Sequence, residues 1–89
     1  MDNQQKGKLT FPCEFTFKII GHANHDFEMA ALTILRQHFP QIGEAAVSVN
    51  LSKNGKYMAY TATVNAISQA QLDAAYQDLS AHPLVLFAI

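Results

Sequence analysis

The stretch Val47-Ser48-Val49-Asn50-Leu51-Ser52-Lys53-Asn54-Gly55-Lys56-Tyr57-Met58-Ala59-Tyr60-Thr61-Ala62-Thr63-Val64-Asn65-Ala66 decides the fold. Val47, Val49 and Leu51 alternate with Ser48, Asn50 and Ser52, which is the period of two of a half-buried strand. Asn54-Gly55 follows, and it predicts a two-residue type I′ turn because both residues take positive φ cheaply. The other arm, from about Tyr57 to Ala66, is rich in the tyrosine, threonine and valine that strands favour. Its faces are Tyr60, Ala62 and Val64 against Ala59, Thr61, Thr63 and Asn65. A β-hairpin therefore occupies the middle of the chain.

Each side of the hairpin adds a helix and a strand. Upstream, Phe15, Phe17 and Ile19 alternate with Glu14, Thr16 and Lys18, a strand over 14–20 that stops at Gly21, with Ile20 breaking the polarity of the second side. Asn24 and Asp26 are both suitable N-caps for a helix that runs to about Phe39 and is ended by Pro40. Phe27, Ala31, Ile34, Leu35 and His38 share one face of it. Gln41 to Gly43 form a short connection to the hairpin. Downstream, Ser68 with Gln71 is a capping box, and Leu72, Ala75, Tyr76 and Leu79 are the apolar stripe of a second helix that ends before Pro83. Leu84 to Ile89 closes as a strand. Residues 1–8 are polar without periodicity and read as a flexible N-terminal tail, leaving one domain over residues 9–89.

The order β-α-β-β-α-β predicts an α+β, ferredoxin-like sandwich: a four-stranded antiparallel sheet with both helices on one face. In that arrangement the first and third strands are central, the second and fourth are edges, and the other face of the sheet is open. Simple alternation puts Ile20, Leu84, Leu86 and Ala88 on the open face.

Composition bounds what such a domain does. The chain has 89 residues, 49% of them hydrophobic and only 15% charged, against roughly 25% charged in ordinary soluble domains. Chains this short bury only about 60% of the unfolded surface, so an apolar excess points to a partner that supplies further burial. Six basic against seven acidic residues leave no electrostatic footprint for nucleic acid. The longest apolar run, Leu84 to Ile89, is six residues against about 20 for a membrane span. The start has no apolar signal core, and Cys13 is the only cysteine, so the expected compartment is the cytoplasm.

Few residues suggest chemistry. His22 and His25 stand three apart at the Gly21 loop, and with Asp26 they give the alternative reading of a small enzyme or metal-binding protein. A structural zinc site wants four ligands, and no spacing here supplies them. His38 sits near a helix C-terminus, where the dipole favours a cation, and reads as structural. His82, before Pro83, reads as exposed. Cys13 has neither a CxxC partner nor an adjacent cation and reads as an incidental thiol. Patterns for nucleophilic, metal-dependent or phosphate-binding catalysis are missing, so no enzyme activity and no cofactor are expected. The loop Gly21-His22-Ala23-Asn24 is the candidate ligand site, because a helix N-terminus presents N–H groups that can take a carboxylate. The plainer alternative is that Gly21 only permits the turn.

Several short matches in order carry a family resemblance: Phe11-Pro12, Phe15-Thr16-Phe17-Lys18 running to Gly21, His38 before Pro40, Ser52-Lys53 with Gly55 and Tyr57, and Thr63-Val64-Asn65-Ala66. From about Leu9 to Ile89 the chain resembles the YbeD-like family of small, biochemically uncharacterised bacterial proteins. The resemblance implies a ferredoxin-like fold similar to ACT-type regulatory domains, which bind amino acids or other small ligands at subunit interfaces. It places Gly21 where ACT domains carry the glycine of their ligand loop, with His22 and Asn24 as neighbours. It also implies a genomic context in lipoate metabolism for some members, and it transfers no catalytic residue. One departure is that Leu84 to Ile89 carries no charge, where relatives can carry a basic residue. The resulting expectation is a non-enzymatic regulatory or protein-interaction module. Its partners would be a second copy of itself, as a homodimer, another protein or a small carboxylate, with Ile20, Leu84, Leu86 and Ala88 at the interface.

Overall fold

The computed structural model describes residues 9–89, so the flexible tail expected over residues 1–8 lies outside the described residues. The elements run β1 (Cys13–His22), α1 (His25–His38), a 3₁₀ turn (Glu44–Ala46), β2 (Val47–Leu51), β3 (Tyr57–Ala66), α2 (Gln69–Ala81) and β4 (Val85–Ala88). The strands form one sheet in the order β2-β3-β1-β4, with every neighbouring pair antiparallel. This is the expected ferredoxin-like arrangement. The central pair β1·β3 stays in register from Cys13↔Ala66 to His22↔Tyr57 without a break.

Local chemistry explains the boundaries. Asn24, rather than Asp26, caps α1: its Oδ1 accepts the Phe27 N–H at 2.8 Å. Ser68 caps α2 by accepting the Gln71 N–H at 3.1 Å, while Gln71 Oε1 accepts the N–H of Ile67. The same amide ties the helices together, because Gln71 Nε2 donates to the His38 carbonyl at 2.7 Å. The core collects the apolar face of each element: Phe17 and Ile19 of β1, Phe27 and Leu35 of α1, and Leu72 and Leu79 of α2 are fully enclosed or nearly so. Phe15, Phe17, Phe39 and Tyr76 pack edge-on or tilted at one end, with ring centroids 4.8 to 6.1 Å apart.

Three expectations need correction. The hairpin is present, but its turn is not type I′, because Gly55 (φ 73°) alone has positive φ and Asn54 does not. The Gly55 N–H closes a turn on the Ser52 carbonyl at 2.9 Å, and Asn54 Oδ1 accepts from Lys56 N and from Ser52 Oγ. The side chain of Asn54 thus organises a longer loop in place of a left-handed backbone. Secondly, β1 continues through Gly21 to His22. Gly21 is buried in the strand with ordinary φ, and a Cβ there would overlap the Phe27 ring and meet the Leu84 carbonyl at 2.8 Å. The glycine makes room for α1 to seat Phe27 and does not form a loop.

The third correction concerns β4. Its register against β1 slips by one residue: Ile19↔Ala88 and Ile20↔Phe87, then Gly21↔Val85. Leu86 is the extra residue of a β-bulge, and one extra residue exchanges the faces beyond it. Ala88 is therefore beside Ile19 on the helix side, and Leu84 and Ala88 pack against the core instead of lying on the open face. Phe87, 53% exposed, takes the place beside Ile20.

Candidate functional site

The sequence-predicted ligand residues lie around the start of α1 and are already engaged there. Gly21 is covered by the Phe27 ring, Asn24 gives its side-chain oxygen to the helix cap, and the Ala23 N–H is donated to the Lys56 carbonyl at 2.9 Å. His22 is exposed and lies over Tyr57, with ring centroids 5.2 Å apart, and Lys56 Nζ sits 5.7 Å from the same ring. His25 and Asp26 are exposed in the first turn of α1. Among the described residues no three histidine, cysteine or carboxylate side chains gather as a metal would need.

The other histidines are structural. His38 Nε2 donates to Asp78 Oδ2 at 2.6 Å, which joins the end of α1 to α2 next to the Gln71 tie. His82, expected to be exposed, is partly buried, and its Nδ1 accepts the Leu84 N–H at 3.1 Å at the entry to β4. Burial raises the Tyr60 hydroxyl pKa above its ordinary value, the Glu28 carboxylate adds to the rise, and the Arg36 guanidinium opposes it. Burial also raises that of Tyr76.

What the molecule offers to the outside is a sheet. Glu14, Thr16, Lys18, Ile20 and His22 of β1 share the open face with Asn65, Thr63, Thr61, Ala59 and Tyr57 of β3. The face is graded: a Thr16 Oγ1···Thr63 Oγ1 hydrogen bond of 3.0 Å marks the polar end, and Ile20, Ala59 and Phe87 form the apolar end. Both edges lack charge, since β2 reads VSVNL and β4 reads VLFA. Large side chains remain exposed along them: Leu51 (60%) on β2, and Leu86 and Phe87 (about half) on β4. Sequence reasoning placed both β2 and β4 at edges but assigned association only to the β4 side. The signal for β2 was the absence of any charge between Val47 and Ser52.

A groove of about 800 Å³ lies at one end of β2, between the 41–46 connection and the end of β3. Phe39, Ile42 and Val64 give it apolar walls, and Glu14, Thr63 and Asn65 give it a polar rim. It exists because β2 begins opposite Ala62 while β3 continues to Ala66. The 3₁₀ turn folds away there, with the Ala46 N–H donated to the Gly43 carbonyl.

These features define a small α+β domain of ferredoxin-like fold, with two helices on one face and a sheet whose other face and edges are presented outward. By sequence the chain belongs to a family described as a protein of unknown function, DUF493, whose model matches residues 6–89, and so to the YbeD-like small bacterial proteins. It is 35% identical over 81 residues to a UPF0250 protein of Nitrosomonas europaea, covering 91% of this chain and 93% of that one. It is also 35% identical over 85 residues to a UPF0250 protein of Chromobacterium violaceum, covering 96% of both. The solution structure of protein HP0495 from H. pylori superposes with a TM-score of 0.72 at 17% identity, over 98% of this chain and 91% of that one, and so shares the fold.

Proposed function

We propose that this protein is a non-enzymatic, cytoplasmic, ACT-like interaction module that works through self-association, in a regulatory or scaffolding role. The carrying observation is the pair of uncharged edge strands with large apolar side chains exposed on them. Sheets that stay single protect their edges with charge, proline or a covering segment, so an edge left bare is a pairing surface. The resemblance to ACT-type domains and the low charged fraction support the same reading. Sedimentation equilibrium tests it: a monomer–dimer equilibrium is expected up to high micromolar concentration, and a chain that remains monomeric throughout overturns the self-association.

A further inference from the structure

The two edges of the sheet are not equivalent. Ser52 donates to the Tyr57 carbonyl at 2.9 Å, and the register continues as Asn50↔Ala59 and Ser48↔Thr61. Alternate residues of an edge strand bond inward and the rest point outward, so Val47, Val49 and Leu51 turn their N–H and C=O groups away from β3. The Val47 N–H is taken by the Glu44 carbonyl. On β4 the bulge at Leu86 interrupts the ladder, and a bulge of this kind blunts an edge.

We propose that a second copy of this chain adds to β2, antiparallel about a twofold axis through Val49, an arrangement that presupposes the interaction module. That register sets Val49 opposite itself, Val47 opposite Leu51 and Ser48 opposite Asn50. Apolar residues then meet on the helix side and polar ones on the open face, and no like charges oppose each other. The same register carries each hairpin, with Lys53 and Lys56, past Val47 of the other copy toward its groove, where Glu14 lines the rim and Glu44 lies on the adjoining turn.

Sedimentation equilibrium on the wild-type chain, Val49→Lys and Phe87→Lys tests the assignment. Both positions are exposed, at 38% and 53%. Val49→Lys is expected to raise the dimer dissociation constant at least tenfold and Phe87→Lys to leave it within twofold. The reverse pattern overturns the β2 site and leaves the interaction module standing, whereas a monomeric wild-type chain overturns both. If Val49→Lys does not fold, amide hydrogen exchange on the wild-type chain decides. Protection at Val49 and Leu51 rises with concentration if β2 pairs, and a dimer that forms without that gain overturns the assignment.

Discussion

Two single residues hold the start of α1 against the sheet. Gly21 leaves space that the Phe27 ring fills, so Gly21→Ala must displace a buried ring or a strand carbonyl. Such overpacking costs about 1–3 kcal/mol, and urea unfolding is expected to show a lower midpoint at unchanged slope. Asn24→Ala removes the cap on the Phe27 N–H and is expected to cost about 1 kcal/mol by the same measurement. The cap was legible in the sequence as one of two candidates three residues beyond Gly21. The glycine's role was not, because a strand glycine that makes room for a helix ring packed over the sheet looks in sequence like any turn glycine.

At the scale of elements, the helices are joined to each other by polar side chains and to the sheet by apolar ones. Gln71 accepts from Ile67 and donates to the His38 carbonyl, so Gln71→Ala leaves two backbone groups without those partners. A loss of about 1–3 kcal/mol is expected in urea unfolding. Tyr60 reports how α1 sits over β3. Its pKa is raised by burial and by Glu28 and lowered by Arg36, so in ultraviolet absorbance titration Glu28→Gln is expected to lower it and Arg36→Gln to raise it. A hydroxyl with a raised folded pKa contributes stability that is complete below its unfolded value, near 10, and is lost as pH rises through the folded value. Urea unfolding followed across pH should therefore show the wild-type protein losing stability above about pH 10. The bulge in β4 also belongs to this scale. Alternation in Leu84-Val85-Leu86-Phe87-Ala88-Ile89 cannot show it, because six apolar residues in a row have no polar phase to mark a slip.

For the whole molecule, a small core and bare edges couple stability to association. Ligation by a second copy stabilises only the folded chain, so the thermal midpoint is expected to rise with protein concentration. Differential scanning fluorimetry over a hundredfold concentration range measures this, and a midpoint independent of concentration is the contrary result. The Val49→Lys chain is expected to lose the dependence. No helix among the described residues is long and apolar enough to cross a membrane.

The sequence by itself determined the element order, the presence of the hairpin, the Ser68 cap of α2 and the family, and narrowed the α1 cap to Asn24 or Asp26, because periodicity, capping residues and Asn-Gly act over a few residues and are written locally. Only the tertiary structure decided which face each residue of β4 takes, what Gly21 is for, why His82 is partly buried, and that β2 is the regular edge. Most of these depend on residues brought together by the sheet: Phe87 on Ile20 and Gly21 on Leu84, each more than sixty residues apart, and the outward groups of Val49 on the ladder to Tyr60 across the hairpin. Register and close packing are properties of pairs, and a single chain read in order contains the members without stating the pairing.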